Sequence, residues 1–303
     1  MLQALGVCLM RQSRMRACLL VAATVSVLFL PVSTVSADGP STSLPAGAVD
    51  ITTTSWGRQL TSAAAIRYSE YGATSANLRV IQDAAGVTVA PAGTEFGAVL
   101  ETLADGTTAL SLAPATLSDP GPAVSDSSES DGPAPLVSAS WSLVGNACFT
   151  RISDTWTWLD HCYQMYKLAN DGSSTRDYYA LQHYATMHPN SPWVGNWAKI
   201  RSYPTGGSAA QNWMDWSPRG DYSGGSRTTT TLGISVYVVL TMQTTMCDQW
   251  WIAKSNPAVD FSVEWYRPGT RNNRELACEI AVWVNQGAWP QWYLPAETHG
   301  SSI

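Results

Sequence analysis

The feature that most constrains the fold is a period-two alternation of apolar and polar residues in the second half of the chain. Every second position from Ile234 to Met242 is apolar, and segments 261–265 and 276–284 repeat the pattern. Successive side chains of a strand point to opposite faces, so this alternation predicts half-buried β-strands. Eight or more such strands, with no convincing long helix among them, predict a mainly β domain. We expect an antiparallel β-sandwich or a jelly roll.

Turn residues between strand-like segments predict where the chain reverses. Asp105-Gly106 indicates one hairpin, between segments 96–103 and 107–112. Asn170-Asp171-Gly172 indicates a longer one, between segments 163–168 and 176–187. A turn at residues 83–86 separates two short strands, and the alanine-rich residues 61–71 predict a short helix.

The amino terminus has the three parts of a secretory signal peptide. Arg11, Arg14 and Arg16 supply a positive flank, an apolar run covers residues 17–30, and small residues lead to Ala37. The apolar run is shorter than the roughly 20 residues that a membrane-spanning helix needs. We therefore expect cleavage after Ala37 and a secreted, extracellular protein with no membrane span in its mature chain.

The cysteines that remain after this cleavage predict disulfides. They are Cys148, Cys162, Cys247 and Cys278. An even count in an exported chain indicates two bridges, and the spacings differ from the close cysteine pairs of zinc sites. Cys148 and Cys162 are symmetric about Thr155, so a hairpin turning there would place them opposite each other. This symmetry favours Cys148–Cys162 and leaves Cys247–Cys278.

Composition divides the mature chain into three regions. Residues 38–112 form a small β-rich amino-terminal region or a pro-segment. Residues 113–135 are small and polar with almost nothing to bury, which is typical of a flexible linker. Residues 136–303 hold thirteen of the fourteen tryptophans and all the mature cysteines. We expect this last region to be the disulfide-stapled β domain.

The tryptophans are the most unusual feature of that domain and its candidate binding residues. Most of them must pack in the core, because aromatic rings bury large areas. A few exposed rings could stack on the apolar faces of sugars, with nearby polar side chains bonding the hydroxyl groups. Two pairs of tryptophans lie beside turn residues, and binding sites are often on loops. The candidate binding residues are therefore Trp213 with Trp216 and Trp289 with Trp292.

The sequence carries no motif that assigns a catalytic residue, a cofactor or a metal. It lacks the Gly-x-Ser-x-Gly turn of many hydrolases, and no spacing of acidic residues selects a glycosidase pair. His161 and His183 are the histidines best placed to share space, on adjacent predicted strands. They could be metal ligands, but hydrogen-bonded strand histidines are the simpler interpretation. We therefore predict no metal site and no cofactor.

These observations favour a non-catalytic extracellular binding module for a glycan or a cell-envelope polymer. Only 13% of residues are charged and the net charge is −6, with no basic run, so we expect no nucleic-acid partner. A secreted hydrolase is one alternative, and a surface or structural protein without a discrete small-molecule site is another. Exposed tryptophans without convergent acids would favour binding. A deep cleft holding His161 or His183 with a carboxylate would favour an enzyme.

Overall fold

A computed structural model describes residues 44–102, 108–117, 139–204, 212–219, 222–223, 228–246, 249–253 and 261–302. The predicted signal peptide and its cleavage site at Ala37 lie outside the described residues. Cys247 and most of the predicted linker also lie outside them.

The described residues fold mainly into strands, with one α-helix. The amino-terminal region contains β1 (Val49–Asp50), α1 (Ser55–Arg67), two 3-10 helices (Ser69–Tyr71 and Ser75–Asn77), β2 (Leu78–Asp83), β3 (Gly86–Pro91), β4 (Phe96–Thr102) and β5 (Thr108–Pro114). The remainder contains β6 (Ser140–Ile152), β7 (Thr157–Ala169), β8 (Arg176–Pro189), β9 (Val194–Pro204), β10 (Asn212–Ser217), β11 (Tyr222–Ser223), β12 (Thr228–Val236), β13 (Val238–Met246), β14 (Gln249–Ala253), β15 (Phe261–Thr270), β16 (Arg274–Asn285), β17 (Trp292–Tyr293) and β18 (Ala296–Ser301).

Two antiparallel sheets contain most of these strands. The larger has eight strands in the order β1-β2-β3-β6-β7-β8-β16-β10. The smaller has the order β11-β14-β15-β9-β17, and β18 also pairs with β9. The hairpins β4–β5 and β12–β13 form two-stranded sheets. The predicted mainly β, antiparallel class is therefore confirmed.

The largest hydrophobic core joins residues of both sheets. Leu181 and Ile280 contribute from the larger sheet, and Ile200, Val263 and Trp265 contribute from the smaller one, all fully buried. On β15 the alternation that the sequence predicts is present, because Phe261, Val263 and Trp265 all face this core. The opposite face of the larger sheet packs against α1 and against the β12–β13 hairpin.

The predicted register of the β6–β7 hairpin is confirmed. Cys148 lies directly opposite Cys162, and the two form a disulfide. The β7–β8 hairpin also turns where predicted, with Asn170 and Gly172 in left-handed backbone conformations at φ 56° and 72°. Asn and Gly tolerate this region better than other residues, which explains why they mark the turn.

The second predicted bridge is not confirmed. Cys278 is fully buried and forms no disulfide with any described residue, and its Sγ lies 3.9 Å from Ser202 Oγ. Burial raises the pKa of this thiol to about 12, which keeps it protonated. Its predicted partner, Cys247, lies outside the described residues.

The amino-terminal region and the tryptophan-rich region meet in the larger sheet, where β3 pairs with β6. Asp83 and Arg151 add a buried ion pair of 3.0 Å between them. The first residues of the predicted linker are also bound, since Thr116 N donates to Trp292 O at 2.8 Å and Leu294 N donates to Pro114 O at 2.9 Å. The small side chains of this stretch fit beside β17, so low apolar content did not prevent their ordering.

Candidate functional site

A cleft of about 580 Å³ opens beside α1, the β2–β3 turn and the β6–β7 turn. Trp56 enters it from α1 and Trp158 from β7. Polar side chains, including Arg67, Asp154 and Asn190, line it as well. Trp56 is 45% exposed, which is unusual for so large an apolar ring, so the cleft combines accessible aromatic surface with hydrogen-bonding groups.

Trp56 is held in the first turn of α1 by the start of that helix. Thr54 is the N-cap, and its Oγ1 accepts a hydrogen bond from Gly57 N at 3.0 Å. Gly57 has no side chain, and a Cβ built there would lie 2.0 Å from Ile51 O, so the helix can approach the chain before it closely. The helix begins before the predicted residues 61–71, at Ser55, and this earlier start brings Trp56 to the cleft.

The β6–β7 turn is fixed by the side chain of Asp154. Its Oδ1 accepts hydrogen bonds from Trp156 N and Thr157 N, both at 2.8 Å, and its Oδ2 accepts one from Gly300 N at 2.8 Å. These bonds tie the turn to β18 in the other sheet. This wall of the cleft is therefore ordered before any ligand arrives.

Behind the cleft, Asp160 sits at the centre of a hydrogen-bonded cluster. Its Oδ1 accepts from Tyr68 OH at 2.6 Å and from Thr150 Oγ1 at 2.7 Å. Its Oδ2 lies 3.0 Å from Arg67 Nε and 3.2 Å from His188 Nε2. The cluster ties α1, β6, β7 and β8 together at one point.

The electrostatics of this cluster favour an ionised carboxylate. Burial raises the pKa of Asp160, but His188, the charge of Arg67 and the hydroxyls of Tyr68 and Thr150 outweigh it and hold that pKa below its usual value. Burial and the nearby carboxylate raise the pKa of Tyr68 well above its usual value, so the phenol stays a donor. Because all four neighbours donate to Asp160, it is poorly placed to accept a proton from a ligand.

His188 connects this cluster to the cleft wall. Its ring stacks on the indole of Trp158, with the centroids 5.1 Å apart and the planes 11° from parallel. The β7–β8 register places these two residues directly opposite each other. Asp160 therefore orients His188, and His188 supports the Trp158 ring.

His161 and His183 are brought together as predicted, but in the core rather than in a cleft. His161 Nδ1 lies 3.2 Å from His183 Nε2, and His183 Nδ1 lies 3.2 Å from Ser202 Oγ. Both rings are buried, which lowers the pKa of His161 to about 3 and that of His183 well below its usual value. The pair is a neutral hydrogen-bonded element, and among the described residues no group of three or more side chains is arranged to hold a metal ion.

The four tryptophans predicted to bind occupy different environments. Trp292 is fully buried and has no ring face to present to a ligand. Trp289 is half-buried, stacks edge-on against Tyr179 and donates its Nε1 to Leu117 O at 2.9 Å. Trp213 and Trp216, on β10, are half-buried against the core. None of these four lines the cleft.

No sequence pattern indicated Trp56, Arg67 or His188 as site residues, and the positions of Trp156 and Trp158 on one strand face near a disulfide favoured inward packing for both. One signal was available for His188, because the turn at residues 170–172 sets a register that places it opposite Trp158. No local signal connects Trp56 with Trp158, because the two are distant in sequence and come together only when α1 packs on the sheet.

Comparison with known proteins adds no assignment to this geometry. No protein-family model matches the sequence, and no curated protein matches it. Within the described ranges, no helix has both the length and the apolar character that crossing a membrane requires.

Proposed function

We propose that the protein is a non-catalytic extracellular binding module whose cleft holds part of a glycan or of another hydroxyl-rich cell-envelope polymer. The observation that carries this proposal is that two tryptophans, Trp56 and Trp158, line one cleft together with polar side chains. Indole faces pack well on the apolar faces of sugar rings, and the surrounding donors and acceptors suit hydroxyl groups.

The charge of the cleft also fits a neutral ligand. Arg67 is the cation that lines it, and Asp160 neutralises that cation at 3.0 Å. Asp154 is engaged by backbone N–H groups of the turn and of β18. A ligand with many hydroxyls and little charge matches this arrangement better than a polyanion does.

Replacing Trp56 tests the proposal. Trp56→Ala should reduce retention on an insoluble glycan or cell-wall fraction at least tenfold, which is about 1.4 kcal/mol. The melting temperature should stay nearly constant, because the ring is exposed and surface substitutions usually change stability by less than about 0.5 kcal/mol.

Trp283→Ala is the matched control. Trp283 is half-buried and lies opposite Tyr178, whereas Trp158 lies opposite His188. These two partners, Tyr178 and His188, are ten positions apart on β8, which corresponds to about 33 Å. Equal loss of retention in both variants, or no retention of the wild type on any such fraction, would argue against the cleft as the site.

A secreted hydrolase is the second candidate function, and the His188–Asp160 pair is the observation that favours it. A carboxylate that orients an imidazole is one part of a nucleophilic site. Within the described residues, however, no serine, threonine or cysteine side chain hydrogen-bonds to His188. Release of soluble sugar from a retained polymer by the wild type, abolished in His188→Gln, would support hydrolysis over binding alone.

Export and the finer features of the fold belong to the same proposal. We infer cleavage after Ala37, a Cys247–Cys278 bridge in the secreted protein, and a sandwich formed by the two sheets around their common core. The basic, apolar and small segments of the amino terminus support the cleavage, and the even number of cysteines supports the bridge. The core residues that both sheets share support the sandwich. Non-reducing mass spectrometry of the exported protein tests the first two. A chain that retains residues 1–30, or a free thiol at Cys278, would contradict them.

A further inference from the structure

A second aromatic surface lies directly beside the cleft. The rings of Trp156 and Trp193 meet edge to face, with their centroids 4.5 Å apart and their planes at 74°. Both are half-buried, so each retains accessible ring surface. Neither residue lines the cleft itself.

Asn190 connects this aromatic pair to the cleft. It is exposed and lines the cleft, and its backbone N donates to Trp156 O at 2.7 Å. Its carbonyl accepts from Trp193 N at 2.8 Å, and its side-chain amide donates to Thr155 O at 3.3 Å. The two tryptophans are therefore fixed at the edge of the cleft by the backbone of one cleft residue.

The position of the pair is also fixed from the other sheet. Gly300 approaches Trp156 so closely that a Cβ built on it would lie 2.6 Å from Trp156 Cβ. The same Gly300 donates its N–H to Asp154. A ligand that contacts this surface does not have to order it first, which reduces the entropic cost of binding.

We propose that Trp156 and Trp193 form a second subsite and that the ligand is a linear neutral glycan that extends from the cleft across Asn190 onto this pair. This inference rests on the proposed function and adds the class of glycan, a chain rather than a single sugar or a short side branch. The position of Asn190, which lines the cleft and bonds to the backbone of both tryptophans, supports it, because a linear chain can follow this edge from one aromatic surface to the other. The amide of Asn190 is placed to contact the unit between them.

The test is the dependence of affinity on chain length. The dimer and the hexamer of β-1,4-linked glucose and of β-1,4-linked N-acetylglucosamine serve as probes, with binding measured by calorimetry. The wild type should bind the hexamer of one series about tenfold more tightly than its dimer, since only the hexamer reaches both surfaces. Trp193→Ala should remove this gain and leave the affinity for the dimer unchanged, whereas Trp56→Ala should weaken both.

Trp193→Phe keeps an aromatic ring and serves as the control, with melting temperatures measured for every variant. If the wild type binds dimer and hexamer equally, or if Trp193→Ala retains the gain, the second subsite is wrong while binding in the cleft stands. If the wild type binds neither series but is retained on the insoluble glycan or cell-wall fraction, this inference is wrong and the proposed function stands; if it is not retained there either, both are wrong. If Trp193→Ala lowers the melting temperature, its loss of affinity could come from unfolding, and Trp193→Phe then settles the question. If Trp193→Phe keeps the tighter binding of the hexamer and Trp193→Ala loses it, an aromatic ring is needed at this position.

Discussion

Two carboxylates on one face of the larger sheet have opposite surroundings. Asp160 on β7 lies under α1, and Glu279 on β16 lies under the hairpin β12–β13, whose Ile234 and Val236 pack beside Ala281. Both oxygens of Asp160 have partners. Glu279 is fully buried, and while its Oε1 accepts from Gln182 Nε2 at 2.6 Å, its Oε2 has no hydrogen-bond partner among the described residues.

In this sheet the hydrogen-bonding and charged neighbours of a carboxyl group, and not its burial alone, determine its ionisation. Burial raises the pKa of both carboxyl groups. At Asp160 a cation, an imidazole and two hydroxyls reverse its effect and lower the pKa. At Glu279 burial raises the pKa to about 7, and the hydrogen bond from Gln182 offsets it only in part. The surroundings of Asp160 therefore favour its charged form, whereas those of Glu279 shift the balance towards its neutral form.

The largest expected effect comes from removing the charged member of the pair. Asp160→Ala removes the acceptor that Arg67, Tyr68 and Thr150 share, and each hydrogen bond to a charged group typically contributes about 1.5–3 kcal/mol. Unfolding in denaturant at pH 7 should show this loss in the free energy of unfolding. Glu279→Gln is the matched control and should not destabilise, because it removes a carboxyl group whose ionised form is disfavoured by burial and whose Oε2 has no hydrogen-bond partner among the described residues.

A cost at Glu279→Gln equal to that at Asp160→Ala would break the comparison. It would mean that Glu279 is held as a charge, with a partner supplied from outside the described residues. Asp160→Asn narrows the interpretation further, because it keeps the size of the side chain and one acceptor oxygen while it removes the charge. Its cost should fall between those of the other two variants.

The next effect is the dependence of stability on pH. A glutamate in the unfolded chain ionises near pH 4.3, and Glu279 in the folded protein ionises at about 7. Its contribution to stability is therefore complete below about pH 4 and is lost as the pH rises to about 7. Asp160, with a lowered pKa, behaves oppositely, since its contribution is present above about pH 4 and is lost as the pH falls through its folded pKa.

Denaturant unfolding of the wild type and of Glu279→Gln between pH 4.5 and 7.5 measures this loss. The wild type should lose about 2–3 kcal/mol relative to the variant as the pH rises, since each pKa unit corresponds to about 1.4 kcal/mol. A difference that stays constant with pH would show that Glu279 titrates normally and that the hairpin does not bury it in solution.

The parts of the fold that local patterns encode were predictable. The opposition of Cys148 and Cys162 follows from their symmetry about the turn at Thr155, and the β7–β8 turn follows from Asn170 and Gly172. In each case the information lies within about 15 residues of chain, because hairpin register is set by turn chemistry and side-chain alternation.

The cleft could not be predicted in the same way, because its walls come from distant segments. Trp56 and Trp158 line the same cleft only after α1 packs on the sheet through Tyr68 and Arg67, and no periodicity in the sequence encodes that packing. Trp292 shows that distant segments can also bury a residue that local signals predict to be exposed. Nearby Gly287 and Pro290 indicated an exposed loop, yet residues 114–117 cover that tryptophan, with Trp292 N donating to Thr116 Oγ1 at 3.0 Å.

The smallest effect tests how α1 is held over Asp160. Thr54→Ala removes the side-chain acceptor for Gly57 N and should lower the free energy of unfolding by about 1 kcal/mol, the usual cost of losing an N-cap. Because Trp56 stands in that first turn, the same change should also weaken retention on the polymer, though less than Trp56→Ala does. Thr54→Ser keeps the oxygen and should restore both properties. If Thr54→Ala lowers stability by as much as Asp160→Ala, the capping bond rather than the buried charge holds α1 on the sheet, and the contrast between the two covered faces loses its basis.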